Sequence, residues 1–209
     1  MISRPGIFLS GIDTNIGKTV VSSLLVKLFN TDYWKPIQCG DLDNSDSMVL
    51  RKLIGKDYTG TLHPERYALH LPQSAHIAAK EANVNIKLQD FELPQSDKPI
   101  VVEGAGGCLV PINEENTVID LAKHLGLPVV LVVRFYLGAY NHTLLSIEAL
   151  QKRGIEIQGL ILNEGDNPEF REFISRKTHL KFLGVVPKLK SLDSQTLETI
   201  VHQWRYTSL

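Results

Sequence analysis

Hydrophobic residues along this chain follow two alternating periods. Short, mostly apolar runs occur at 7–10, 99–102, 128–133, 158–162 and 182–186. Between them, apolar residues return every three or four positions, as at Val20, Val21, Leu24, Leu25 and Leu28. The first period predicts strands covered on both faces. The second predicts amphipathic helices over 19–29, 118–125, 140–153, 167–177 and 193–204. A short strand is expected at 33–35, stopped by Pro36. Asn44 or Ser45 is placed to cap a helix that runs to Ile54 and closes at Gly55, and 74–82 reads as another helix. Residues 56–73 are polar and contain two prolines, so an irregular excursion is expected there.

Strands and helices that alternate in this way pack as a mostly parallel sheet with helices on both faces. The expected fold class is α/β, and 209 residues without an internal repeat or linker suit a single domain over 1–209.

Composition narrows the function classes. Hydrophobic residues make up 43% and charged residues 22%, an ordinary globular balance that argues against disorder. Lys and Arg number 22 against 23 Asp and Glu, so no basic excess points to nucleic acid. The longest apolar run, 127–133, falls far short of the ~20 residues of a membrane span. The start of the chain offers one early cation, Arg4, and no long apolar stretch, and cleavage would destroy the glycine-rich motif that begins by Gly11, so no signal peptide is expected. Cys39 and Cys108 form no CxxC pair and no disulfide framework. The chain is therefore expected to be cytoplasmic, with neither nucleic acid nor membrane as partner.

The strongest chemical signal is Gly11-Ile12-Asp13-Thr14-Asn15-Ile16-Gly17-Lys18-Thr19, between a predicted strand and a predicted helix. In that context glycines let backbone N–H groups turn around phosphate oxygens, and the helix N-terminus adds positive charge. Lys18 can reach the outer phosphates, and the Thr19 hydroxyl can ligate Mg²⁺. The ion would also want carboxylates. Asp46 lies at a helix start, where it reads equally as a helix-terminal charge, and Glu103 lies where the strand 99–102 gives way to Gly104-Ala105-Gly106-Gly107. Lys35 ends another predicted strand, and the carboxyl ends of parallel strands share one crevice. Cys108 reads as a small buried residue, and Trp34 and Trp204 as core residues.

Together these segments resemble the dethiobiotin synthetase family. Besides the long phosphate loop, the resemblance rests on Trp34-Lys35-Pro36-Ile37, Asn44-Ser45-Asp46, Glu103-Gly-Ala-Gly-Gly and Leu137-Gly138-Ala139-Tyr140-Asn141-His142, and it covers residues from about 7 to about 190. It implies a P-loop NTPase-like fold and an ATP- and Mg²⁺-dependent ligase of biotin biosynthesis. That enzyme carboxylates 7,8-diaminononanoate with CO₂ and closes a ureido ring through a carbamic-phosphoric anhydride. By the same resemblance Asn15, Ile16, Gly17, Lys18, Thr19 and Val20 cradle the phosphates, with Gly104, Ala105 and Gly106 beside them. Thr19, Asp46 and Glu103 serve Mg²⁺, while Lys18 and Lys35 act in catalysis.

Asn163 corresponds to a purine contact, although by itself it also reads as a turn residue, and Pro187, Lys188 and Leu189 lie at the base-binding edge. The family is a homodimer in which the segment 137–142 of one subunit, with Gly138 and Asn141, receives the substrate's carboxylate at the other. His76 falls in a segment similar to one near the substrate, and a purely structural role suits it as well. Two features depart from the family. Cys39 stands where Ser or Thr often contacts substrate, and the stretch between Lys35 and Asp46 is short.

Rival classes are weaker on the residues. Partitioning ATPases carry a signature lysine where this chain has Asp13. A GTPase would have lysine at Glu164 in Asn163-Glu164-Gly165-Asp166. A related P-loop amide ligase would share the nucleotide site.

Overall fold

The computed structural model describes residues 2–206. Nine strands and seven α-helices follow one another along them, in strict alternation from Ile100 onward. In chain order they are β1 (Gly6–Gly11), α1 (Lys18–Phe29), β2 (Asp32–Trp34), β3 (Ile37–Cys39), α2 (Asp46–Ile54), β4 (Leu62–His63), β5 (Tyr67–Leu69) and α3 (Ala75–Glu81). There follow β6 (Ile100–Gly107), α4 (Val118–His124), β7 (Val129–Arg134), α5 (Ala139–Lys152), β8 (Ile157–Asn163), α6 (Pro168–Thr178), β9 (Phe182–Val185) and α7 (Ser194–Tyr206).

Seven strands form one sheet in the order β4-β2-β6-β1-β7-β8-β9, and every pairing is parallel. The expected α/β architecture is present. β1 and β7 are buried at nearly every position, so side chains pointing either way meet protein. The layer of α1, α2 and α7 packs together, α4 lies against β1 and β6, and α5 lies against β7, β8 and α6. The core is one continuous apolar cluster that includes Phe8, Leu24, Val101, Leu131, Leu160 and Phe170, with Trp34 and Trp204 inside it as expected.

Helix boundaries follow local chemistry. Asn167 accepts a hydrogen bond from the Phe170 amide at 2.8 Å, and Pro168 opens α6 where its missing N–H costs nothing. Ser45 caps α2 through the Met48 amide at 3.4 Å.

The segment 56–73 differs from expectation. It contains β4 and β5, and β5 pairs with β3 in a second, two-stranded parallel sheet. These strands have two or three residues each and show no usable periodicity. Their order comes from tertiary polar contacts. Buried Asp32 accepts from the Thr61 amide at 2.8 Å, from His63 Nε2 at 3.0 Å and from Ser96 Oγ at 2.7 Å. Burial alone would raise the Asp32 pKa, but these donors outweigh it and hold the carboxyl below its ordinary value.

Large exposed apolar side chains include Phe135 and Leu137, in the loop after β7, and Leu145 on α5. Among the described residues no helix is long and apolar enough to cross a membrane.

Candidate active site

Where β1, β2, β6, β8 and β9 end, the sheet opens into a cleft of about 960 Å³. Carboxyl ends of parallel strands commonly form such a crevice, because the connections to neighbouring helices diverge there. The chain leaves β1 at Gly11 and turns through Asn15 and Gly17, both left-handed at φ 56° and 87°. It then enters α1 at Lys18. A Cβ at Gly17 would lie 2.0 Å from Asn163 Nδ2, so only glycine fits this turn.

The loop is braced from two strands. Asn163, at the end of β8, donates its Nδ2–H to the Ile16 carbonyl at 2.8 Å. Arg134, at the end of β7, donates to the Asn15 carbonyl at 3.2 Å and pairs with Glu164 at 3.0 Å. The first turn of α1 has no side-chain cap and no acidic residue. Its unpaired N–H groups and the positive end of the helix dipole are left for an anion.

Below the loop lies a buried charge cluster. Lys35 Nζ pairs with Asp46 Oδ2 and, at 3.1 Å, with Glu103 Oε1. The Thr19 hydroxyl lies 2.7 Å from Asp46 Oδ1 and 3.0 Å from Glu103 Oε1. Glu103 Oε2 accepts from Ser22 Oγ at 2.6 Å and from the Tyr33 hydroxyl at 3.1 Å.

Burial alone would lower the Lys35 pKa, but the charges of Glu103 and Asp46 outweigh it and hold the ammonium above its ordinary value. The converse applies to Asp46, where burial raises the pKa and Lys35 more than offsets it. Lys18 has no comparable partner, and its Nζ donates only to the Asp13 carbonyl at 3.3 Å. Burial, reinforced by the nearby Lys35 charge, brings its pKa down to about 8.

The oxygens of Thr19, Asp46 and Glu103 suit a small divalent ion. Adjacent ligands around Mg²⁺ at ~2.0–2.1 Å stand about 2.9 Å apart in an octahedron. The two separations, 2.7 and 3.0 Å, bracket that spacing. Among the described residues no group of three or more His, Cys, Asp and Glu is arranged for a metal. Two carboxylates and a hydroxyl therefore need further oxygens from a phosphate ligand or water.

Most of the expected site residues meet here. Asn15, Gly17, Lys18, Thr19, Val20, Lys35, Cys39, Asp46, Glu103, Ala105, Gly106, Asn163, Pro187, Lys188 and Leu189 all line the cleft. Glu103 sits in the middle of β6, not at a strand end, because the strand continues through the glycine run to Gly107. Ile16 and Gly104 do not line the cleft. The Ile16 side chain is wholly buried, and a Cβ on Gly104 would meet Val118 and Phe8. Gly138 and Asn141 also lie outside this chain's own cleft. His76 lies outside it too, with its Nδ1 3.0 Å from Ser74 Oγ.

Cys39 is half-buried, and burial pushes its thiol up to about 11 despite the opposing charge of Lys35. The group therefore stays protonated at neutral pH and can offer only a weak S–H donor. Cys108 is buried beneath the loop, its Sγ 3.5 Å from both Ser10 Oγ and the Gly11 carbonyl.

Sequence reasoning missed Ser22, Tyr33, Gln38 and Arg134. A signal existed for two of them. Ser22 lies three residues after Thr19 on the same helix face, and Tyr33 lies two before Lys35 on the same strand face. Gln38 accepts from the Asp46 amide at 3.3 Å, a contact no spacing announces.

Comparison with known proteins agrees with this geometry. A family model described as an AAA domain matches residues 5–196. ATP-dependent dethiobiotin synthetase BioD of Christiangramia forsetii is 39% identical, over 95% of this chain and 95% of that one. The protein of the same name from Rhodopseudomonas palustris strain TIE-1 is 41% identical, covering 91% of this chain and 90% of its own. Among solved structures, a ParA family ATPase from Chlorobium tepidum superposes with a TM-score of 0.60 at 11% identity, over 96% of this chain and 99% of its own. The septum site-determining protein MinD of Pyrococcus horikoshii gives 0.54 at 14%, over 97% of both chains. At such identities these two establish the frame alone. The synthetases align with it along almost their whole length, and this chain belongs to their family, the ATP-dependent dethiobiotin synthetases.

Proposed function

We propose that this chain uses ATP to join CO₂ to 7,8-diaminononanoate and close the ureido ring of dethiobiotin, a ligase reaction of biotin biosynthesis. The whole of 1–209 is read as one catalytic domain. The observation that carries the reading is the buried cluster of Lys35, Asp46, Glu103 and Thr19 directly beneath a phosphate loop.

In the first step one neutral amine adds to CO₂, giving a carbamate and releasing a proton. A carbamate oxygen then attacks the γ-phosphorus of ATP, forming the mixed anhydride and ADP. The second amine attacks the carbamoyl carbon, phosphate leaves, and loss of a proton completes the cyclic urea. One oxygen of CO₂ ends in the phosphate, so the organic product gains CO₂ less water.

No covalent group on the protein is required. Phosphoryl transfer needs alignment and charge stabilisation. Asn15, Gly17 and the first turn of α1 offer N–H groups to the phosphates, and Lys18 adds a positive charge. Lys35 is fixed in place by its two carboxylates, so its ammonium meets developing negative charge without reorganising. Thr19, Asp46 and Glu103 would hold Mg²⁺, which when bound neutralises the phosphates and draws electrons from the transferring group.

At the base-binding edge, Asn163 spends one Nδ2–H on Ile16 and keeps Oδ1 to accept from the 6-amino group of adenine, a position where guanine carries a carbonyl. Cys39 lines the cleft and would offer the diamine only a weak S–H donor.

The active unit is read as a homodimer with the site at the subunit interface. Gly138 and Asn141 lie away from their own cleft, and α5 begins at Gly138 without a side-chain cap, which suits a carboxylate. Exposed Phe135, Leu137 and Leu145 supply an apolar face around that helix.

The direct test is mass spectrometry of the purified protein with ATP, MgCl₂, bicarbonate and 7,8-diaminononanoate, each omitted in turn. Product heavier than the diamine by CO₂ less water is expected only in the full mixture, with much less when GTP replaces ATP. ADP without that product would move the reading to an amide ligase or a partitioning-type ATPase. Lys35→Ala should lower kcat by about 10²–10³-fold, the usual cost of losing one prearranged donor. Near-normal turnover by a folded variant would remove Lys35 from catalysis.

Affinity for ADP should depend on pH through Lys18. Its pKa near 8 in the free protein rises when phosphates bind, so binding takes up a proton above that pH. Affinity should be full below pH 8 and fall as pH rises, by up to about tenfold per unit. A flat profile from pH 7 to 9.5 by calorimetry would remove Lys18 from phosphate binding. Light scattering should give twice the 23.4 kDa chain mass, and Leu145→Glu should shift it toward 23.4 kDa. A monomer before substitution would refute the dimer.

A further inference from the structure

Glu103 does not present its carboxylate evenly. A carboxylate oxygen has two lone-pair directions. On Oε2 both are taken, one by Ser22 Oγ at 2.6 Å and the other by the Tyr33 hydroxyl at 3.1 Å. On Oε1 the neighbours are Thr19 and Lys35, the two groups that face the cleft. Glu103 is therefore a carboxylate with one oxygen facing inward and the other facing the site.

The clamp is rigid. Ser22 is on α1 and Tyr33 on β2, both with no measurable exposure, and Glu103 between them is 1% exposed. The Thr19 side is not rigid in this sense. Its single O–H cannot serve Asp46 and Glu103 at once, and the hydroxyl can turn when its oxygen is wanted as a ligand.

The asymmetry matters for the choice of cation. Mg²⁺ requires near-octahedral geometry at ~2.0–2.1 Å and takes a carboxylate through one oxygen. Ca²⁺ takes six to eight oxygens at ~2.3–2.6 Å and commonly grips a carboxylate through both. With Oε2 saturated by Ser22 and Tyr33, two-oxygen coordination by Glu103 is closed off. We infer that Ser22 and Tyr33 are positioning residues that restrict Glu103 to one-oxygen coordination and so set the site's preference for Mg²⁺ over Ca²⁺.

The inference rests on the reading of Glu103 as a cation ligand, and the experiment separates the two. MgCl₂ and CaCl₂ are titrated calorimetrically into the protein saturated with ADP, with ADP alone as blank. Ser22→Ala and Tyr33→Phe are compared with the unaltered chain. Each removes one hydroxyl and little volume, and thermal unfolding without cation checks the fold of each independently. The ratio of Ca²⁺ to Mg²⁺ dissociation constants should fall by ~10-fold in each, the scale on which partners of metal ligands act.

A residue with only a structural role would weaken both cations together and leave that ratio unchanged. An unchanged ratio in both variants, while Glu103→Gln weakens both cations, overturns the inference and leaves Glu103 a ligand. Undiminished cation binding by Glu103→Gln overturns both.

Discussion

A lysine ammonium shut away from water must be neutralised where it lies, and this requirement organises the centre of the molecule. Lys35 is 5% exposed, so its charge cannot be left without partners. The partners come from different parts of the chain, Asp46 from the first turn of α2 and Glu103 from the middle of β6. Thr19 on α1 touches both carboxylates. One ion cluster thus ties two helices, one strand and the residue just after β2 at the floor of the cleft. The two lysine charges and the two carboxylate charges around it sum to zero.

Above that floor the phosphate loop is held open in advance. Asn163 and Arg134 occupy the Ile16 and Asn15 carbonyls, which leaves the loop amides and the uncapped start of α1 for phosphate. Both braces come from strand ends beyond the loop's own strand, so the loop's shape depends on the register of β1, β7 and β8. The sheet therefore decides the geometry of a glycine-containing loop.

Partitioning ATPases share this frame, and the likeness illustrates how little a fold says about chemistry. The difference lies in side chains placed on the frame. Here Cys39, Gln38 and Gln73 line the same cleft as the phosphate loop. The short segment after Lys35 is ordered by β3, by its pairing with β5 and by the Gln38 contact to the start of α2. It forms an ordered wall of the cleft.

Much of this was legible in the amino-acid sequence. The long strands announce themselves because both of their faces are buried, and the helices because their apolar residues recur at the helical period. Gly17, Lys18 and Thr19 between a strand and a helix specify the phosphate loop through local geometry alone. Other features depend on groups far apart in the chain. β3, β4 and β5 are too short to show a period and exist through pairing and the Asp32 contacts. Glu103 reads as a carboxylate before a glycine run. Only packing shows that it lies in mid-strand and that Ser22 and Tyr33 hold its inner oxygen. Sequence determined the frame, the loop and the family, because each rests on neighbouring residues or regular spacing. Tertiary structure decided which oxygens and ammonium groups meet, because hydrogen bonds and ion pairs act over a few ångströms whatever the separation along the chain.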